Sequence, residues 1–216
     1  MNVLVICDDF WHPAEVIELG IAPLEKMGFT FTVVKTALDI LTPEFIAPYP
    51  VIMCCKGNSV NSYNHQREWF LDIAEVGPAE FEEYVRNGGG FLAVHSGNTG
   101  KSGQDYANFV GNYFGGHPPR CEVEVKITKE HPITKNVSDF SVRDEHYKIE
   151  VTDPEADVFC KTYSESGGEQ IGGYVRTIGK GKVCVLTPGH ILGVWHNPEF
   201  QKLLCNALHF ASKKND

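Results

Sequence analysis

Gly88-Gly89-Gly90-Phe91-Leu92-Ala93-Val94-His95-Ser96-Gly97 is the stretch that decides the fold. Residues 91–94 read as a short buried strand, and His95-Ser96-Gly97 as a sharp turn at its end. That is the shape of a nucleophile elbow, which lifts one side chain above the carboxyl end of a sheet. Amidotransferases place Cys at the apex and hydrolases place Ser, whereas this chain places His95. Imidazole is a poor choice for a stable acyl-enzyme but a good metal ligand or proton carrier. The scaffold therefore suggests an enzyme, and the residue argues against the scaffold's best-known chemistry.

Outward from the elbow the chain alternates strand and helix. Apolar runs at 3–7, 31–34, 51–54, 91–94 and 183–186 predict the central strands of a mainly parallel sheet. Runs without polar alternation are expected where both faces are covered. Helices are expected at 13–27, 78–86, 102–109 and 198–210. In the first, Val16, Ile17, Leu19, Leu24 and Met27 recur at roughly helical spacing, and Gly28 is placed to close it. The last has Asn197 as N-cap and Pro198 at its first position. Residues 121–127 alternate Glu and Lys with Val and Ile, which predicts a half-exposed, antiparallel edge strand. Segments 158–163 and 171–177 read as further strands joined through 164–168. No repeat or linker interrupts the pattern, so one α/β domain is expected across 1–216.

Composition narrows the class. The net charge is −9 and no Lys/Arg cluster stands out, so nucleic acid is not an expected partner. The first residues form a strand start rather than a signal peptide, and no apolar run is long enough to span a bilayer. A cytoplasmic chain with no membrane partner is expected. The 7 cysteines are odd in number and lack a CxxC pair, as for reduced thiols that fill a core; the adjacent Cys54 and Cys55 fall at a strand end.

Each of the nine histidines has a bland reading as well as a functional one. His209 falls inside the last helix, His65 and His131 lie in polar loops, and His196 precedes the last helix. His12, His95 and His190 each follow a predicted core strand. In an open parallel sheet such ends share one rim, where ligands bind. His117 and His146 lie in intervening loops. Acidic residues that could orient an imidazole or complete a metal shell are Asp8 and Asp9 after the first strand, and Asp144 and Glu145.

An ordered set of motifs then resembles a known family. It comprises 88–97, Phe114-Gly115-Gly116-His117-Pro118, Asp144-Glu145-His146-Tyr147, and the closing Thr187-Pro188-Gly189-His190 followed by Val194-Trp195-His196-Asn197-Pro198-Glu199-Phe200. Together they resemble the trehalose-utilisation (ThuA-like) family over nearly the whole chain. The resemblance implies a flavodoxin-like, class I glutamine amidotransferase-like fold with an antiparallel extension, and a link to sugar catabolism. It also implies that the elbow Cys is missing, as His95 shows, and that His190 occupies the place of the amidotransferase His. His117 and Glu145 match recurrent polar positions, while His146 stands where the family more often has an apolar residue.

The resulting expectation is a sugar-active isomerase or hydrolase, acting on a small carbohydrate such as an oxidised keto-sugar, and not a glutaminase. His95, His190 and Glu145 are the expected catalytic groups. Asp8, Trp11, His12, His117, Tyr147 and Trp195 are expected to bind substrate. A Zn or other divalent ion on His95, His117 and His190 is the expected cofactor, with no nucleotide cofactor. Homo-oligomerisation, at least to a dimer, is expected through the edge strand at 121–127. The rival reading is a non-catalytic sugar- or metabolite-binding protein. A third is a subunit whose pocket works only within an oligomer.

Overall fold

A computed structural model describes residues 1–9, 11–35, 41–57, 77–98 and 104–213. In chain order the elements are β1 (Asn2–Ile6), α1 (Ala14–Glu25), β2 (Thr30–Val34), α2 (Pro43–Ile46), β3 (Val51–Cys54), α3 (Pro78–Arg86) and β4 (Gly90–Val94). Next come α4 (Gln104–Val110), β5 (Asn112–Phe114), β6 (Cys121–Ile127), β7 (Phe140–Asp144) and β8 (Ile149–Val151). The chain closes with β9 (Asp157–Ser164), β10 (Gly168–Ile178), β11 (Gly181–Leu186), α5 (Leu192–Trp195) and α6 (Pro198–Ala211).

Among the described residues, nine strands form one sheet in the order β2-β1-β3-β4-β11-β10-β9-β6-β7. From β2 to β11 all neighbours are parallel. From β11 to β7 all are antiparallel. The parallel half explains the unalternating runs: β3, β4 and β11 are buried at every position. Successive side chains of a strand point to opposite faces. Val3 and Val5 accordingly pack with α1 and α6, whereas Leu4 and Ile6 pack with Phe81 and Val85 of α3 and Phe109 of α4. Helices thus cover both faces of the sheet, and the carboxyl ends of β1, β4 and β11 open on one rim.

Several expectations need correction. Segment 31–34 lies in β2, at the end of the sheet rather than its centre, and its strand is only partly buried. Segment 121–127 is β6, which is no edge: it pairs with β9 on one side and β7 on the other. Its alternation reports a face, with Val123 and Val125 inward and the charged residues outward, and a strand's faces are independent of its edges. The reason for expecting self-association along this strand is therefore gone. The terminal strand at this end is β7. Leu19 of α1 and Met27, just beyond its end, are 54% and 52% exposed; the inward face is Ala14, Ile17, Gly20, Ile21 and Leu24. Gly28 does close that helix, at φ 89°. Of the helix expected at 102–109, residues 102 and 103 lie outside the described residues, as does His65. No described helix is long and apolar enough to cross a membrane.

Candidate active site

The elbow builds the first side of the site. After β4 the chain enters a 3-10 turn, His95–Asn98, with His95 at φ 47°, a left-handed conformation rare outside glycine. The turn is pinned between two strands. Ser96 Oγ donates to Cys55 O at 2.7 Å, and Asn98 Nδ2 donates to Leu186 O at 2.9 Å. Gly97 passes so close to β3 that a Cβ there would meet Cys54 O at 2.0 Å. The His95 ring consequently has one place to go, over the rim. Its Nδ1 lies 2.8 Å from Thr187 O. A carbonyl oxygen only accepts, so Nδ1 carries the proton and Nε2 of the neutral ring presents a bare lone pair.

The end of β1 builds the second side. Asp9 is fully buried, and its carboxylate accepts from Trp11 N, His12 N and Gly57 N at 2.8, 2.9 and 2.6 Å. It also takes the His12 ring at Nδ1, 2.7 Å away. Burial alone would raise the Asp9 carboxyl, but the His12 ring and the amide donors outweigh it and hold it below the usual carboxylate range. His12 is thereby oriented with Nε2 toward the rim, a carboxylate–imidazole arrangement that fixes tautomer and direction.

The third side comes from the loops after β7 and β11. Asp144 is buried and accepts from Gly189 N at 2.8 Å and His190 N at 3.0 Å, which fastens one loop to the other. The next residue, Glu145, faces the histidines. Its Oε2 lies 3.2 Å from His190 Nδ1, 3.4 Å from His117 Nε2 and 3.5 Å from His95 Nε2. One ligating atom from each of His12, His95, Glu145 and His190 falls in a group whose members are all within 4.8 Å of one another. His12 Nε2, His95 Nε2 and His190 Nδ1 are buried and have no hydrogen-bond partner among the described residues. Burial pushes the His95 imidazole down to about 4, against the pull of Glu145, and lowers His190 as well. Glu145 is partly buried, which raises it, but the His95 and His190 rings bring it below the usual range. The bare Nε2 of the neutral His95 ring thus faces an ionised carboxylate. Leaving a buried polar group unpaired costs about 1–3 kcal/mol, so three at one point call for a common partner.

Aromatic rings frame the opening. Tyr147 stacks on His95 at 3.9 Å between ring centres and lies 4.5 Å from Phe114 and 5.6 Å from His117. Trp11, His12, Gly57, Phe114, His117, Glu145 and Tyr147 line a cavity of about 130 Å³. Trp11 is half-exposed at its mouth.

The whole sequence has known relatives. The family model described as trehalose utilisation (ThuA) matches residues 2–211. The chain belongs to the ThuA family. Among solved structures, this ThuA chain is similar to a ThuA-like protein of Parabacteroides merdae ATCC 43184, with 18% identity and a TM-score of 0.73, over 100% of this chain and 92% of that one. It is similar to a glutamine amidotransferase of Thermotoga maritima, with 14% identity and a TM-score of 0.62, over 98% of each chain. It also resembles part of a β-galactosidase of Bacillus circulans sp. alkalophilus, with 11% identity and a TM-score of 0.64, over 99% of this chain and 31% of that one. At these identities the likeness is one of fold. No curated protein matches the sequence.

The ThuA chain brings His12, His95, His117, Glu145, His190, Trp11 and Tyr147 to one place. It does not bring Trp195 there. That side chain is fully buried in α5, 5.5 Å from Phe200 between ring centres, and its indole N–H donates to Gly189 O at 2.8 Å. Trp195 braces the loop that carries His190 rather than meeting a ligand. Asp8 Oδ1 accepts from Ala14 N at 2.9 Å, at the start of α1. His117 stands at the mouth, with Nδ1 2.8 Å from Pro118 O, outside the four-residue group in which His12 takes its place. His146 is buried elsewhere, held by Ser164 Oγ and Thr162 Oγ1. His131 caps the short turn Pro132–Thr134, and His196 Nε2 meets Leu19 O. All 7 cysteines are free, and burial raises the thiols of Cys54 and Cys55. Asp9 and Asp144 are oriented by main-chain N–H groups of remote loops, and sequence spacing shows only the Asp9–His12 interval of that arrangement.

Proposed function

We propose that the protein is a carbohydrate-active enzyme that isomerises or hydrolyses a small, oxidised (keto) sugar at the rim cavity. The observation that carries this reading is the convergence of Glu145 with the imidazoles of His95, His117 and His190 beside an aromatic-lined opening. Membership of the trehalose-utilisation family supports a sugar as substrate. So does the recurrence of the fold within a β-galactosidase chain. Trp11 and Tyr147 offer apolar faces for a sugar ring. An ionised carboxylate and a neutral imidazole, close but not hydrogen-bonded, can take a proton from carbon beside a carbonyl and return one to oxygen. In this scheme Glu145 is the base, and His117, at the solvent side, is the proton carrier. The elbow keeps its geometry but gives up covalent catalysis, since His95 has replaced the nucleophile.

The test is incubation with keto derivatives of glucose and of glucose disaccharides in D2O, followed by NMR. The expected result is product formation, with deuterium entering beside the carbonyl if the reaction is an isomerisation. Glu145→Gln should lower kcat by about 10²–10⁴-fold with little change in thermal stability. Saturable binding of these sugars with neither product nor deuterium would replace this reading with that of a binding protein.

A further inference from the structure

We infer that His12 Nε2, His95 Nε2, His190 Nδ1 and Glu145 Oε2 together bind one divalent transition-metal ion. The role of the ion in catalysis rests on the carbohydrate reading; its existence rests on the four side chains. Ligand atoms of a four-coordinate ion with bonds of about 2.1 Å stand roughly 3.4 Å apart. Here Glu145 Oε2 is 3.2 Å from His190 Nδ1 and 3.5 Å from His95 Nε2, and the whole set lies within 4.8 Å. The three nitrogens are buried and, among the described residues, make no hydrogen bond, with His95 only 2% exposed and His12 8%.

The surroundings are built for ligation. Two of the rings have their far nitrogen engaged by an acceptor, His12 by the Asp9 carboxylate and His95 by Thr187 O. Each therefore turns Nε2, unprotonated when the ring is neutral, to the common point. Outer partners of this kind orient metal-bound imidazoles and raise their basicity. Asp144 fixes the backbone of His190, and Asp9 that of His12, so the ligands are set before any ion arrives. Three imidazoles and one carboxylate suit Zn, Mn, Fe, Co or Ni, while Mg and Ca favour all-oxygen shells. His12 and Glu145 also line the cavity, so a further coordination position opens toward substrate. There an ion would polarise a sugar carbonyl. His117, with Nδ1 on Pro118 O and its ring one-third exposed, is left as a proton carrier and not a ligand.

Cobalt(II) and zinc(II) are the probes. Untagged protein is stripped with a chelator, checked for its fold by circular dichroism, and titrated. The expected result is one equivalent of either ion, a visible d–d spectrum with cobalt, and a higher Tm on loading. His95→Asn and Glu145→Gln, close in shape to the native side chains, should lose the cobalt spectrum while remaining folded. His117→Ala should keep both spectrum and stoichiometry. Asp9→Asn should weaken binding by about 10–100-fold. Folded wild-type protein that takes up neither ion at micromolar concentration overturns the metal centre, as does a full equivalent retained by the His95→Asn, Glu145→Gln double variant. The sugar assay on the same samples separates the two ideas. Undiminished turnover by the stripped protein removes the ion from catalysis and leaves the enzyme reading standing. A cobalt site that depends on Glu145, with no sugar turned over, upholds the metal centre and sinks the enzyme reading.

Discussion

At the residue scale the decisive choice is imidazole at the elbow apex. An amidotransferase needs a thiolate there, beside a His and facing preformed oxyanion donors. His95→Cys restores the sulfur but not its setting. The shorter side chain would sit beneath the ionised Glu145, which favours the protonated thiol, and the ring contact to Tyr147 would vanish. The variant should therefore release no ammonia from glutamine above the rate of the wild-type protein in a coupled assay. Robust release would mean that the cavity still fits glutamine, and the sugar reading would lose most of its support. The identity of His95, His190 and Glu145 as rim residues was legible in the sequence because each follows a recognisable strand end or motif. His12 was legible at the rim in the same way, but the direction of its ring was not, since that depends on Asp9, whose own orientation is set by Gly57 N from a loop 48 residues away. Trp195 misled because aromatic residues near a candidate site suit stacking and bracing equally well, and only burial tells them apart.

At the element scale, short turns carry as much of the architecture as helices do. His131 is an example. Its Nδ1 accepts from Ile133 N at 3.1 Å, capping Pro132–Thr134, and its ring stacks on Phe159. The cap requires a bare nitrogen, and burial lowers this imidazole below its ordinary value. An unfolded histidine titrates near 6.5. As pH falls through that value the unfolded chain binds the proton first, so stability falls and then levels off once the folded ring is also protonated. Asn is a good N-cap that does not titrate in this range. His131→Asn should therefore show a smaller loss of urea resistance between about pH 7.5 and pH 5 than wild type, whatever its starting stability. An equal loss in both would show that His131 does not couple folding to pH. The turn was legible from His131-Pro132, but not its capping bond, which depends on the imidazole's rotamer.

At the scale of the whole molecule, the sheet joins two halves that follow different rules. The parallel half was legible because burial on both faces leaves unbroken apolar runs in β1, β3, β4 and β11. The antiparallel half was less so, because alternation records which face is wet and says nothing about who pairs at each edge. With β6 paired on both sides, β2 and β7 are the ends of the nine-stranded sheet among the described residues, so association of copies along that sheet would use one of these two. Hydrogen exchange distinguishes the two placements of β6. An inner strand has both rows of amide groups paired, whereas a terminal strand leaves alternate N–H groups to solvent or side chains. Amides of β6 should thus exchange slowly on either side of the strand where both partners flank it, at Glu124 and Val125. In β7 the protection should alternate, slow where the amide pairs with β6 and fast where it points outward. Uniformly slow exchange through β7 together with alternating exchange in β6 would reverse the order of the two strands and return 121–127 to the edge of the sheet.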